Sequence, residues 1–348
     1  MALENKKIVL VLTDTESLGG ISRFNNNLRA SLANHSVTTL ALNDRGSDTV
    51  KGFNKNKILF SLAIIAQLFK KPDLIIFGHL HFATFFSFTS FFKVKSIMIL
   101  HGIEAWSIRN GLKKYLPKIH EYWAVSSFTQ RKFIEQSKVE ENTVLKIFNT
   151  LPHDWQQSGD NSFSKPYLLT VTRLAKEEGY KGVDTTISAI AELKDLFVEK
   201  KWTYEVVASG DDLSRHEQLV ADLNLEAIVS FRTNVSDEDL QKLYAECGFF
   251  LLPSTGEGFG IVFLEAMAHA KAVVGAAGCG TDDVIENGKT GFLIEPSIET
   301  IKEKIEFLIN HETERNELGQ AGEKRLEEQF SFHKFSQTIN ELVEQCVG

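Results

Sequence analysis

Short apolar runs alternate with longer amphipathic stretches along most of the chain. In stretches such as ISRFNNNLRASLAN (21–34), Ile21, Phe24, Leu28 and Leu32 recur at the spacing of one helix face. Strand-like runs that alternate with helix-like ones are typical of βαβ units around a parallel sheet and predict an α/β fold. In the first half the candidate strands are KIVLVLTD (7–14), VTTLALN (37–43), DLIIFGH (73–79), SIMILHG (96–102), EYWAVSS (121–127) and TVLKIFN (143–149).

The alternation stops at TLPHDWQQSGDNSFSKP (150–166), which is polar, rich in turn formers and without periodicity, and which we interpret as a linker. It then restarts with YLLTVTR, YEVVASGD, IVSFRTN, FFLLPS and AVVGAA. The pattern therefore predicts two successive doubly wound domains with a cleft between them. Ligands of such sheets bind beyond the carboxyl ends of the strands, so we expect the chemistry in the residues after each strand.

Length and composition agree with this division. A chain of 348 residues is long for one hydrophobic core, and 43% hydrophobic with 24% charged residues is typical of a globular protein. Cys247, Cys279 and Cys346 form no CxxC pair, which argues against a thiolate zinc site and fits a reducing cytoplasm. The apolar run near the N-terminus is too short for a membrane span and lacks a signal-peptide cleavage site. We therefore expect a cytoplasmic protein.

The most informative stretch is STGEGFGIVFLEAMAHA (254–270), in which two carboxylates, Glu257 and Glu265, bracket an apolar segment. A helix beginning near Phe259 would be buried, and burying an unpaired carboxylate costs several kcal/mol. A ligand that approaches the glycines could offer hydroxyl groups to both carboxylates, as a sugar nucleotide would. Alternatively, Glu265 pairs with His269 one turn on, and Glu257 only favours the positive end of the helix.

Other candidates follow the remaining strands. Arg173 ends the run YLLTVTR and Lys181 follows it; together they could clamp a diphosphate, although both could equally pair with Glu177 and Glu178. Gly19 and Gly20 precede a helix after the first strand, where backbone amides can face an anion or simply form a tight turn.

His101 ends the fourth strand, and the pair His79 and His81 follows the third. A lone histidine is more often structural than catalytic, and its place at the predicted cleft raises the interest of His101. An HxH pair can bind a metal, but no cysteine or carboxylate cluster accompanies it in the sequence. We therefore expect no metal site and no cofactor.

These motifs together resemble the retaining glycosyltransferases of family 4, whose GT-B fold consists of two Rossmann-like doubly wound domains facing across a cleft. The resemblance covers almost the whole chain, and its most specific element is E-x7-E, Glu257 to Glu265, preceded by an Arg…Lys pair. One departure is CGTDD, where the family often has GG-x-x-E. The motifs in order are GG (19–20), HGIE (101–104), AVSSFT (124–129), TRL…KG (172–182), SGDD (209–212), LPSTGEGFGIVFLEAMA (252–268) and DDVIENGKTGFLI (282–294).

The resemblance implies transfer of a hexose from a nucleoside diphosphate sugar, UDP- or GDP-linked, with retained configuration and without a metal. It implies a catalytic set of His101, Glu257, Lys181 and Arg173. Within that set Arg173 and Lys181 would bind the diphosphate, and Glu257 would contact the transferred sugar. His101, which lies in the first domain, would face the same sugar. The implied donor-binding set is Gly19, Gly20, Arg173, Lys181, Phe231, Arg232, Glu257, Gly258, Phe259, Gly260, Ile261 and Glu265, with Glu265 on the ribose and Phe231 and Arg232 near the base.

It also implies an acceptor-side domain over 1–160, a donor-nucleotide domain over 165–330, and a C-terminal helix over 331–348 that packs back towards the first domain. The acceptor would be a saccharide or a lipid-linked saccharide in cell-surface glycan synthesis.

The uneven distribution of charge along the chain bears on whether the protein meets such an acceptor at a membrane. Residues 1–160 contain 20 Lys and Arg against 13 Asp and Glu, although the net charge of the whole chain is −8. The phenylalanine-rich segment 81–95 and the basic segment 109–118 suggest a peripheral contact with the inner membrane face. Alternatively, the phenylalanines are core residues of a buried helix and the charges only solvate the domain.

Other functions fit less well. GEGFG lies too late in the chain and lacks GxGxxG spacing, which argues against a dinucleotide-dependent dehydrogenase. A GT-B phosphorylase usually has a much longer chain. The acidic total and the lack of a recognised module give no support to nucleic-acid binding. A GT-B sugar-nucleotide epimerase and a non-catalytic sugar-nucleotide-binding protein remain as alternatives.

Overall fold

The structure, a computed structural model, describes residues 5–17, 19–152, 155 and 165–348. The chain divides into two compact units, one formed by residues 1–153 with 330–348 and the other by residues 154–329. The linker predicted over 150–166 lies mostly outside the described residues.

Within the described residues, the first unit is built on a seven-stranded parallel sheet in the order β3-β2-β1-β4-β5-β6-β7. Its central strands are mostly buried because helices cover both faces of a parallel sheet. The strands are β1 (Lys7–Leu12), β2 (Ser36–Ala41), β3 (Val50–Gly52), β4 (Leu74–Phe77), β5 (Lys95–Leu100), β6 (Glu121–Ala124) and β7 (Val144–Lys146). The helices are α1 (Gly20–Ser31), α2 (Lys57–Phe69), α3 (Phe86–Phe92), α4 (Ile103–Trp106), α5 (Asn110–Lys113) and α6 (Ser127–Ser137).

The second unit repeats this plan with a parallel sheet that, in the described part of the chain, has six strands in the order β10-β9-β8-β11-β12-β13. The strands are β8 (Tyr167–Arg173), β9 (Thr203–Ser209), β10 (Val229–Arg232), β11 (Phe249–Leu252), β12 (Ala272–Ala276) and β13 (Gly291–Ile294). The helices are α7 (Val183–Glu192), α8 (Lys194–Lys200), α9 (Leu213–Asp222), α10 (Asp237–Glu246), α11 (Ile261–Met267), α12 (Ile298–Asn310) and α13 (Glu312–Phe330).

Both sheets reverse their strand order at one place, between β1 and β4 in the first unit and between β8 and β11 in the second. Each unit is therefore a doubly wound, Rossmann-like fold, and the α/β expectation is confirmed. At such a switch point the connections leave in opposite directions, which opens a crevice beyond the carboxyl ends of the two central strands.

The chain ends in α14 (Phe332–Val347), which packs against α1 in the first unit. The contact is polar at its centre. The His35 ring accepts a bond from the Lys6 amide at Nδ1 and lies 3.1 Å from Asn340 Oδ1 through Nε2, which therefore carries the proton. Asn340 Nδ2 in turn donates to the Ser31 carbonyl at 2.9 Å. This buried network fixes the last helix on the first unit.

Replacing Asn340 with alanine should lower the free energy of unfolding by about 2 kcal/mol, because the His35 N–H and the Ser31 carbonyl lose a buried partner. Urea unfolding would measure the change. Gln337→Ala is the matched control, since the Gln337 amide bonds only the exposed Glu341 carboxylate one turn on. Equal midpoints for the two variants would contradict the role assigned to Asn340.

Candidate functional site

Two loops meet at the switch point of the second unit. The segment after β8 (174–182) and the segment after β11 (253–260) follow neighbouring strands. The Thr255 amide donates to the Tyr180 carbonyl at 3.0 Å, and Gly256 lies directly against the Tyr180 ring. A Cβ on Gly256 would be 2.5 Å from a carbon of that ring, so only glycine allows the two loops to approach this closely.

The centre of this site is an ion pair between Lys181 and Glu257. The Lys181 Nζ and Glu257 Oε1 atoms are 2.7 Å apart, and the side chains are 16% and 13% exposed. Lys181 ends a short 3-10 turn, and its ammonium group lies 5.3 Å from the centre of the Tyr180 ring. Tertiary structure thus joins two residues that are 76 positions apart in the sequence.

Arg173 is the last residue of β8 and has a different partner. Its guanidinium group forms a two-pronged contact with the Glu178 carboxylate, in which Nε is 2.9 Å from Oε2 and Nη2 contacts Oε1. The hydrogen bonds from Arg173 lower the pKa of Glu178, which also accepts a bond from the Tyr180 hydroxyl at 3.1 Å. The alternative pairing of Arg173 with Glu178 is therefore present, whereas Lys181 pairs with Glu257 and not with Glu177 or Glu178.

The glycine-rich loop between Glu257 and α11 has a left-handed residue at its end. Gly260 has φ +91°, and α11 begins at Ile261, two residues later than the predicted start at Phe259. The loop is also held from the far side, since the Gly280 amide donates to the Glu257 carbonyl at 2.8 Å. A Cβ on Gly280 would be 2.2 Å from the Gly258 carbonyl oxygen. The backbone from Gly258 to Ile261 is therefore closely constrained.

Glu265 lies inside α11 and is 2% exposed. The Tyr244 hydroxyl, on α10, donates to Glu265 Oε2 at 2.7 Å. The Tyr244 ring in turn lies parallel to the His269 ring, with centres 6.3 Å apart, and burial lowers the pKa of His269 to about 4. The buried carboxylate thus has a hydroxyl partner on a neighbouring helix that no local sequence motif indicates.

Phe231 and Arg232 are the last two residues of β10. β10 is the edge strand, two positions from β8. Arg232 Nε donates to Glu205 Oε2 on β9 at 2.7 Å, and the Phe231 ring lies 6.5 Å from the His216 ring. These two residues are therefore on the same sheet as the Lys181–Glu257 pair but at its edge.

In the first unit the glycines follow β1 and the histidines follow β4 and β5, at the carboxyl edge of the sheet. Gly19 caps α1, which begins at Gly20, and both glycines are exposed. His79 and His101 follow the neighbouring strands β4 and β5, and their ring centres are 6.4 Å apart. His81 lies beside them, 4.3 Å from His79 between ring centres. The structure thus gathers three imidazoles at the carboxyl edge of this sheet.

The tautomer of His101 follows from its contacts. Its Nε2 atom lies 2.9 Å from the Gly78 carbonyl oxygen, which can only accept, so Nε2 carries the proton and Nδ1 has a lone pair. Burial lowers the pKa of His101 and lowers that of His79 to about 4, so both rings are neutral at pH 7. The Glu104 carboxylate accepts from the His101 and Gly102 amides and fixes the loop.

The described residues contain no group of three or more His, Cys, Asp or Glu side chains arranged to hold a metal ion. Sequence reasoning also missed three residues that shape the site, namely Tyr180, Tyr244 and Gly280. Each acts through a contact that is distant in the sequence or through the backbone, so only the folded arrangement identifies it.

Comparison with known proteins now relates the second unit to one family. Residues 154–325, about half of the chain, match the family model described as glycosyl transferases group 1. The second unit is therefore similar to the glycosyl transferases group 1 family, and the Lys181–Glu257 pair and the glycine-rich loop lie inside the matched residues.

Individual relatives agree with this family. The chain is 28% identical over 261 residues to the uncharacterized glycosyltransferase MJ1178 of Methanocaldococcus jannaschii, an alignment that covers 73% of this chain and 69% of that protein. It is also 28% identical over 227 residues to the capsular polysaccharide biosynthesis glycosyltransferase CapM of Staphylococcus aureus, which covers 60% of this chain and 57% of CapM.

Among solved structures, Anabaena Alr3699/HepE, crystallised with UDP and glucose, superposes with a TM-score of 0.81. It covers 97% of this chain and 100% of its own, at 19% identity. At this identity the likeness concerns the fold, and the expected GT-B class of two Rossmann-like units is confirmed.

The low pKa of His79 predicts that the free energy of unfolding depends on pH. Because the folded pKa of about 4 lies below the ordinary 6.5, an unfolded chain takes up a proton between these values that the folded chain does not. The part of the free energy of unfolding that is linked to His79 is therefore full above pH 6.5 and falls as the pH falls, by about 2 kcal/mol between pH 7 and pH 5. Urea unfolding at both values should show this loss.

His79→Asn should remove that part of the loss, because an amide oxygen can replace Nδ1 as acceptor for the His81 amide without titrating. His333→Asn, on the exposed surface of α14, is the control and should behave as the wild type. An unchanged pH dependence in His79→Asn would contradict the interpretation.

Proposed function

We propose that this protein is a retaining glycosyltransferase that moves a hexose from a nucleoside diphosphate sugar to a saccharide or lipid-linked saccharide in cell-surface glycan synthesis. The observation that carries the proposal is the Lys181–Glu257 pair, held at the switch point of a unit similar to the glycosyl transferases group 1 family. A cation and a carboxylate at this place offer partners for the phosphates and the sugar hydroxyls of one donor.

The names of the similar proteins favour one class of donor and one class of acceptor. HepE was crystallised with UDP and glucose, which favours a UDP-sugar over a GDP-sugar as donor. CapM is named for capsular polysaccharide biosynthesis, which favours a saccharide acceptor at the cell surface.

In the proposed complex, Lys181 and Arg173 bind the donor diphosphate and stabilise the charge that develops on it as the sugar leaves. The exposed fraction of Arg173, 66%, leaves its guanidinium group room to reorient from Glu178 towards a ligand. The backbone from Gly258 to Ile261 lies against the same ligand. These cations supply the positive charge that a metal ion supplies in other transferases, so we propose a metal-independent reaction.

The two carboxylates bind the ends of the donor. Glu257 accepts hydrogen bonds from the transferred sugar, and Glu265 accepts them from the ribose hydroxyls while it keeps its bond from Tyr244. Because Glu265 already has a buried partner, it is held in place before the donor binds, which reduces the entropy lost on binding. Phe231 and Arg232 are proposed to contact the base.

The reaction breaks the bond between the anomeric carbon and the diphosphate oxygen and forms a bond from that carbon to the acceptor oxygen. The acceptor attacks on the face that the diphosphate leaves, and its proton passes to the leaving phosphate, so configuration is retained. In the first unit we propose that Gly19 and Gly20 approach the phosphates. We also propose that His101 contacts the transferred sugar as a neutral imidazole.

Turnover of the donor tests the proposal. The full-length protein should bind one of the UDP-, GDP- and ADP-hexoses and hydrolyse it slowly even without an acceptor. Glu257→Ala and Lys181→Ala should each lower that turnover at least about 100-fold, which corresponds to about 3 kcal/mol of transition-state stabilisation. Coupled detection of the released nucleoside diphosphate would measure the rate.

The exposed pair Lys242–Glu238, in the same unit, provides matched controls, and alanine at either position should leave the rate unchanged. Near-normal turnover in Glu257→Ala or Lys181→Ala would overturn the site. Donor binding without any turnover would favour the non-catalytic sugar-nucleotide-binding protein, and inversion of a donor sugar centre would favour the epimerase.

A second prediction concerns the pair of Arg173 and Glu178. Because the Glu178 carboxylate competes with a donor diphosphate for the same guanidinium group, Glu178→Gln should tighten UDP binding. Exposed ion pairs contribute at most about 1 kcal/mol, so we expect the dissociation constant to fall about two- to fivefold. Isothermal titration calorimetry would measure it, with the exposed neighbour in Glu177→Gln as control. Weaker binding in Glu178→Gln would show that Glu178 positions Arg173 for the ligand.

A further inference from the structure

The outward face of α2 is apolar and exposed. This helix packs on the core of the first unit through Phe60, Ile64 and Leu68. Its opposite face carries Ile58, Leu59, Leu62 and Phe69, which are 74%, 55%, 57% and 70% exposed. Contiguous exposed apolar side chains on a folded protein mark an interaction surface more often than single ones do.

The adjoining helix α3 extends this face. The Phe69 ring contacts the Phe92 ring, with centres 4.8 Å apart, and Phe92 contacts Phe91 at 5.2 Å. Phe91 is 80% exposed and Phe88 is 42% exposed, whereas Phe82 and Phe86 are buried. The phenylalanines of segment 81–95 therefore divide between core and surface. The resulting α2–α3 face consists of Ile58, Leu59, Leu62, Phe69, Phe88 and Phe91.

Lysines surround the α2–α3 face. Lys57 begins α2, Lys70 and Lys71 follow its end, and Lys93 follows the end of α3; all four are exposed. Lys118 also lies at α3, since its ammonium group donates to the Ser87 hydroxyl at 3.2 Å.

Acidic residues are almost lacking from this part of the sequence. Residues 54–103 contain six lysines and one acidic residue, Asp73. The Asp73 carboxylate is engaged by the Lys7 amide at 2.7 Å. The face is therefore apolar at its centre and positive at its ends.

We propose that the α2–α3 face docks on an anionic lipid surface, with its apolar side chains in the boundary between headgroups and acyl chains and its lysines on the headgroups. Helices with one apolar exposed face and flanking lysines bind membranes in this way, and each cation near the surface adds affinity for anionic lipid.

The face can lie on a bilayer but does not cross one. α2 has 13 residues and is thus about 20 Å long, whereas the hydrocarbon core is about 30 Å thick. Over the part of the chain that the structure describes, no helix is long and apolar enough to span it.

The lysines around the α2–α3 face favour an anionic lipid surface over a second copy of the chain as the partner of this face. In a symmetric dimer built on the α2–α3 face, the surrounding lysines of both copies would be brought together without carboxylates between them, which is unfavourable. Anionic headgroups complement the same lysines. The inference goes beyond the proposed function, and its test does not depend on catalysis.

Vesicle flotation with the full-length protein tests the proposal. At low salt the protein should float with phosphatidylcholine vesicles that contain phosphatidylglycerol and much less with phosphatidylcholine alone. Combining Leu62→Glu with Phe91→Glu should lower the bound fraction about tenfold or more, because it places carboxylates on the lipid-facing surface. Val198→Glu is the matched control, since Val198 is 65% exposed on α8 of the second unit.

Lys57→Gln combined with Lys70→Gln should also weaken binding to the anionic vesicles, whereas Lys324→Gln on α13 should not. Circular dichroism and thermal unfolding would establish that each variant is folded. Failure to float with anionic vesicles, or equal flotation of wild type and the Leu62→Glu, Phe91→Glu variant, would overturn the proposal. Self-association that this variant abolishes, without any lipid binding, would assign the face to a second copy and overturn it as well.

Discussion

The parallel pairing of β8 with β11 is the constraint on which the site of the second unit depends. Although 75 residues lie between the end of β8 and the start of β11, the two strands lie side by side. Their carboxyl ends point the same way. The loops that follow them must therefore meet. At this meeting point Lys181 and Glu257 form a pair that is largely shielded from water, so their attraction is screened less than that of an exposed pair.

Glycines make this close approach possible. Gly256 lies against an aromatic ring, Gly260 has a positive φ that ends the loop, and Gly280 lies against the loop backbone. A side chain at the first or third position would clash with a ring or a carbonyl group. These glycines therefore determine where the charged side chains of Lys181 and Glu257 are held.

The two units carry different kinds of side chain at the carboxyl edges of their sheets. In the second unit the switch point carries cations and carboxylates, with Arg173 held by Glu178 and Lys181 by Glu257. In the first unit the carboxyl edge of the sheet beside the switch point carries imidazoles that burial keeps neutral. The segment that contains the α2–α3 face accounts for much of the excess of basic over acidic residues in this half of the sequence, since residues 54–103 contain six lysines and one acidic residue.

Much of the fold follows from the sequence, because buried parallel strands are continuous apolar runs. The run KIVLVLTD contains β1, and YLLTVTR coincides with β8. Our strand list omitted β3 and β13, which have three and four residues and lie at sheet edges, where a strand needs fewer apolar residues. The motif spacing also placed Arg173, Lys181, Glu257 and Glu265 in one domain.

Tertiary structure alone decided which of these residues are partners. The sequence offered Lys181 a diphosphate or the neighbouring carboxylates Glu177 and Glu178 as partners and gave no indication of Glu257. The pairing of β8 with β11 brings Lys181 to Glu257, and the packing of α10 on α11 gives Glu265 its bond from Tyr244. Local patterns determine elements because they depend on neighbouring residues, whereas partners depend on contacts that exist only after the chain has folded.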